Sequence, residues 1–177
     1  MANGIFVAEN MASTKLSSLL NTARYNDGAV NQPIQNGRVV RLVGLEAGER
    51  EIYDARDVAA NTNPIVVVDE PVLEYDEQIT RGLNDYTNVA GKTVRTRRLQ
   101  VGDSFAVSGR AITPIGVAPA VGNFIATPAA GNLWAEVANA AGGQSVICEI
   151  VDSYVLGAGA MAGHRNITMY GCRVVVA

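Results

Sequence analysis

The chain carries 177 residues, 48% of them apolar and only 18% charged, with a formal net charge of -3, which suits one domain with a proper core and an appendage and is short for two domains. A sequence pI near 5.1 excludes a general nucleic-acid binder, since neutralising phosphates needs a basic excess. With 18 glycines and 6% aromatics the balance favours a turn-rich β-protein over a helical bundle.

Residues 1–32 read differently from the rest. Ile5, Phe6 and Val7 form a short apolar patch, and Met11 follows it. Leu16, Leu19, Leu20 and Ala23 then recur at helical spacing behind the capping residues Ser13 and Thr14, and Asn26, Asp27 and Gly28 would end such a helix. A helix of that length is marginal alone in water, so it packs on its own domain or, as an N-terminal arm, on a neighbouring subunit. The polar loop 25–32 favours the arm. On that reading, removal of residues 1–24 leaves a folded β-domain. The first twenty residues lack the basic start and apolar run of a secretory signal, and no run reaches the roughly 18 apolar residues of a membrane helix.

From Pro33 to the end, residues 33–177, short strands alternate with turns. Asn36 and Gly37 make a turn before a strand over 38–43, and Ala47 and Gly48 another before one over 49–53. The β-branched run Ile65, Val66, Val67, Val68 after Pro64 predicts a strand buried on both faces. A short strand over 72–75 and a polar excursion over 76–86 follow. In 104–108, Phe105 and Val107 point one way and Ser104, Ala106 and Ser108 the other, the alternation of a half-buried strand. Two echoes of Gly-Asn, at Gly122-Asn123 and Gly131-Asn132, place turns before strands over 124–127 and 133–137. Trp134 anchors the second, and its indole N–H needs a partner if buried. Strands over 145–151 and 172–176 complete eight to ten, the number and spacing of a sandwich or barrel. Cys148 and Cys172 both lie in apolar runs and read as reduced core residues, with a disulfide between neighbouring strands as the alternative. The fold expected is therefore all-β, a compact sandwich or barrel-like domain with an N-terminal arm carrying a short helix.

The strand over 92–98 is the sharpest feature. Thr93, Arg95 and Arg97 share one face, Lys92, Val94, Thr96 and Arg98 the other, and so much charge belongs against water or an acidic partner. Lysine and arginine on an edge strand protect it from unwanted pairing. The functional reading sets Lys92, Arg95, Arg97 and Arg98 against carboxylates of a partner, where guanidinium groups bind in a bidentate manner. That reading makes docking weaker in high salt.

Chemistry-bearing patterns are absent. His164 is the one histidine and has no ligand or nucleophile at useful spacing. Asp69 and Glu70, with Glu74, Asp76 and Glu77, lack the D-x-D-x-D spacing and turn glycine of a calcium loop and read as a solvated acidic edge. Residues 157–163 have glycines spaced G-x-G-x-x-x-G, with too little chain after them for a dinucleotide fold. No catalytic residue, metal or cofactor is expected, and the protein is read as a non-enzyme.

The order Gln35, Asn36, Gly37, Arg38, Val39, Val40, Arg41, Leu42, then Tyr75, Asp76, Glu77, then 88–92 and 97–108, then 119–124, resembles the capsid decoration (cement, or auxiliary head) proteins of tailed bacteriophages. The likeness runs over about residues 35–137. It implies a β-rich domain that docks on the outside of the expanded head and bridges major capsid protein subunits, a virion protein assembled in the host cytoplasm. It also implies contacts with further copies of itself, weakly favouring a trimer. The arm, through Ile5, Phe6, Val7, Met11, Leu16, Leu19 and Leu20, would lie along the shell or a neighbour. No nucleic acid, membrane or small-molecule substrate enters this reading. The alternative is a fibre or baseplate-type β-module that binds host-surface carbohydrate on exposed aromatic platforms.

Overall fold

The computed structural model describes residues 4–59, 64–71, 86–140, 143–156 and 166–177. Among these lie twelve strands: β1 (Phe6–Asn10), β2 (Leu20–Tyr25), β3 (Val39–Leu45), β4 (Ile52–Arg56), β5 (Ile65–Val68), β6 (Thr93–Arg97), β7 (Ser104–Ser108), β8 (Ile112–Thr113), β9 (Phe124–Ala126), β10 (Trp134–Val137), β11 (Ile147–Leu156) and β12 (Ile167–Val176). The fold is all-β, as the composition and turn spacing predict. It divides into a closed barrel, β2-β4-β3-β5-β6, and a seven-stranded sheet, β1-β7-β12-β11-β9-β10-β8. The β2–β4 and β8–β10 pairs are parallel and the others antiparallel. No helix among the described residues is long and apolar enough to cross a membrane.

β5 explains how the two layers meet. Its four residues are all buried, and they alternate between two cores. Val66 and Val68 point into the barrel with Val40, Leu42, Ala55, Val94 and Ala23. Ile65 and Val67 point out of it, toward Phe105, Val107, Ile125 and Trp134 of the sheet. A strand buried on both faces needs a continuous β-branched run, which is what this one has. Trp134 is fully buried and donates its indole N–H to the Gly37 carbonyl at 3.1 Å. Its ring stacks 6.0 Å from Phe105. Gly37 has φ +78°, so the turn predicted at Asn36-Gly37 requires glycine there. Cys148 and Cys172 are both buried and unpaired, and burial pushes the Cys148 thiol well up.

β7 is not half-buried. Phe105 and Val107 face the barrel, but Ala106 is also fully buried, against Ile5 and Met169 on the far side of the sheet.

The expected arm and its helix are the main correction. Residues 12–14 and 17–19 form single 3-10 turns, and residues 20–25 form β2. β1 pairs with β7 at the edge of the sheet, Phe6 opposite Val107, and β2 sits in the barrel between β4 and β6. For a segment this short, two ladders of backbone hydrogen bonds outweigh a marginal helix. The leucine spacing misled because Ala23 and Tyr25 are buried with the period of a strand. Residues 4–25 are thus woven into both layers. The expected strand over 72–75, the acidic residues Glu74, Asp76 and Glu77, the 157–163 glycines and His164 lie outside the described residues.

Candidate interaction surface

The basic strand has its acidic partner inside the chain. β6 is paired on both sides, by β2 and β5, so it is no edge. Val94 and Thr96 fill the barrel, and Arg95 and Arg97 turn outward onto Asp69 at the exit of β5. Arg95 Nη2 lies 2.9 Å from Asp69 Oδ2, and its Nε donates to the Asp69 carbonyl at 2.8 Å. Arg97, only 7% exposed, bonds the same carboxylate through Nε and donates through Nη1 to Ser13 Oγ at 3.1 Å. Glu70 accepts the Arg95 backbone N–H at 2.9 Å and pairs with Lys92 at 3.2 Å. Lys92 also donates to the Tyr86 hydroxyl at 2.7 Å. Burial pulls the Lys92 ammonium down, and the hydrogen bonds to Tyr86 and Glu70 more than offset it, so it is raised. Asn36 closes the corner, bonding the Glu70 carbonyl at 2.7 Å and the Glu70 N–H at 3.2 Å. The pair read as a solvated acidic edge is a structural counter-charge. Arg98 is half-buried, its N–H donating to the Leu19 carbonyl at 2.9 Å.

The arm residues are largely consumed as well. Ile5, Phe6 and Met11 are 2%, 8% and 2% exposed. Phe6 lies 5.3 Å from the Phe105 ring, and Ala12 N–H donates at 2.7 Å to Asp103, itself buried in the turn after β6. Val7 and Leu16 are exposed, and Leu19 and Leu20 are half-buried. Of the sequence-predicted contact residues, then, Val7 and Leu16 present apolar surface to solvent.

What the chain does display is a loop that sequence reasoning passed over. Between β8 and β9, Ile115 is 62% exposed, Val121 53%, and Val117 is fully exposed. The loop is held by one carboxylate. Glu136 on β10, itself buried, accepts the Ile115 N–H at 2.8 Å through Oε2, and through Oε1 accepts the Ala120 N–H at 2.9 Å and Asn123 Nδ2 at 2.7 Å. Burial would raise the Glu136 carboxyl, and the bonds from Asn123, Ala120 and Ile115 overcome that and hold it below its ordinary value. At the far end, Gly122 N–H donates to the Ile150 carbonyl at 2.9 Å, and Ile150 N–H to the Asn123 carbonyl at 2.8 Å. The backbone is thereby fixed while the apolar side chains stay in water. Beside it, a groove of about 310 Å³ runs between the loop and the start of β12, lined by Arg110, Pro114, Val117, Pro119, Thr168 and Tyr170. The available signal was Glu136 itself, an acid in phase with the buried Trp134 on the same strand.

Among the described residues, no group of three or more His, Cys, Asp or Glu is placed to hold a metal. No family model, no curated protein and no solved structure matches this chain.

Proposed function

We propose that this chain is a structural protein of a phage head, a rigid β-domain that docks on the outer surface of the assembled capsid and bridges neighbouring major capsid protein subunits. The observation that carries the reading is the clamped apolar loop over 114–123. A patch of apolar side chains on a fixed backbone marks an interaction site, and a loop already ordered loses little entropy on docking. The likeness in turn chemistry to capsid decoration proteins points the same way. A protein that binds only the assembled lattice stabilises it by mass action, and repeated modest contacts suffice. The work is done by surfaces, with no bond made or broken. The carbohydrate-binding alternative is weakened by Trp134, the one tryptophan, which is buried and no platform.

The test is co-sedimentation of the purified chain with expanded, DNA-free heads of the phage that encodes it, with electron microscopy of the pellet. Fully burying a valine or isoleucine contributes about 1.5–3 kcal/mol, so Val117→Asp or Ile115→Asp is expected to lower docking by about tenfold or more. Raising the salt should leave most of the wild-type docking intact, because Arg95, Arg97 and Lys92 are spent internally. Heads that stay bare, or that bind both variants as well as the wild type, would refute the proposal.

A further inference from the structure

Among the described residues, the seven-stranded sheet has an unpaired edge over the outer half of β11, and that edge is complementary to itself. β11 pairs with β9 only through Ile147, Cys148 and Glu149, and the C=O and N–H of Ile150 go to Gly122 and Asn123. Beyond that point residues 151–156 are held, among the described residues, by β12 alone. Natural edges of that length are usually shortened, covered, or blunted with Lys or Pro. Here the order is Val151, Asp152, Ser153, Tyr154, Val155, Leu156, with neither. Val151 is 44% exposed, Tyr154 37% and Val155 47%. A bulge between Ile150 and Asp152 marks the start of this segment, a second register shift of β11 lying back at Ile147 and Cys148. The Asp152 carboxylate folds back over Gly171 on β12, where an added Cβ would stand 1.9 Å from Oδ1. That draws the single charge of the segment away from its outer side.

We propose that two copies of this chain associate by antiparallel pairing of their β11 edges about a two-fold axis at Ser153. With the axis perpendicular to the sheet, each residue meets one on the same face of the pleat. Centring on Ser153 sets Val151 opposite Val155 of the second copy and Asp152 opposite its Tyr154, and the two-fold repeats both pairs. Apolar cross-strand pairs of this kind stabilise a sheet, and no like charges meet. Centring on Asp152 would put two carboxylates face to face, and centring on Tyr154 would put Asp152 against Leu156. Side-chain chemistry therefore selects the register as well as the partner. The contact is isologous and closes on itself. One strand pair buries less than the roughly 1,200–2,000 Å² of a standard stable interface, so the free dimer is weak and gains strength when copies sit side by side on a lattice. The inference stands apart from the capsid reading, because its test uses the purified chain with no shell present.

Sedimentation velocity of the full chain across a concentration series should show the mass rising from 18.6 kDa toward twice that value. Mild oxidation of Ser153→Cys should give a covalent dimer far faster than oxidation of Val43→Cys, a control at a residue 42% exposed on β3. The native thiols are buried and do not compete. Val151→Lys with Val155→Lys should weaken association by about tenfold or more while circular dichroism stays unchanged. A chain that remains monomeric at the highest concentration, an oligomer indifferent to the paired lysines, or cross-linking of Ser153→Cys no faster than the control would overturn the proposal. If the double-lysine variant fails to fold, the cross-linking comparison decides alone.

Discussion

In the five-stranded barrel every strand is paired on both sides, whereas the seven-stranded sheet stops at β1 and β8 and, among the described residues, leaves the outer half of β11 open. The two layers also differ in one buried charged group each. At the barrel, Arg95, Arg97 and Lys92 are folded onto Asp69 and Glu70, so a strand rich in cations adds little free charge to the surface. On the sheet side, Glu136 is hidden and valines and isoleucine are shown. The difference teaches that the charged stretch is the structural one here, while a clamped loop on the sheet side keeps apolar side chains in water.

The strongest way to break the comparison is to remove residues 1–24, which takes β1 from the sheet and all but the last residue of β2 from the barrel. Deletion should abolish the cooperative unfolding transition seen by circular dichroism. A truncated chain that still melts cooperatively would show the layers to be independent of their first strands.

A smaller effect separates the two arginines at the barrel seam. Arg97→Ala leaves Asp69 and Ser13 short of a buried partner and should cost roughly 2–4 kcal/mol, held down by the Arg95 that remains. Arg95→Ala, at a side chain 36% exposed, should cost about 0–1 kcal/mol. Urea denaturation of both measures the gap, and equal losses would place Arg97 at the surface after all.

The mildest perturbation is pH, and it sharpens the sheet side. The folded Glu136 carboxyl titrates below its ordinary value of 4.5. Its contribution to stability is complete above the unfolded value and is lost as pH falls through the lower folded one. The Ile115 and Ala120 amide resonances should shift together with a midpoint below 4.5, and Glu136→Gln should remove that titration. A midpoint at or above the ordinary value would mean that the loop is not clamped in solution.

Much of the scaffold was legible because strands and turns are local. The run from Ile65 to Val68 carries two-faced burial in its own composition, and glycines at positions such as 37, 48, 102, 122 and 131 mark turns that demand positive φ. Trp134 announced that its N–H would need an acceptor, though the Gly37 carbonyl lies 97 residues away in sequence. The leucines of residues 16–20 were not legible, since a short run fits both the helical and the strand period until partners choose between them.

The sequence by itself determined an all-β chain, its turns, and the alternation of Val94 and Thr96 against Arg95 and Arg97. Only the tertiary structure decided that those arginines end on a carboxylate 26 and 28 residues away, that residues 4–25 join both layers, and that Ile115, Val117 and Val121 face water. Period and turn chemistry act between near neighbours. Which charge is neutralised and which apolar residue stays exposed depends on segments far apart in the chain meeting in one place.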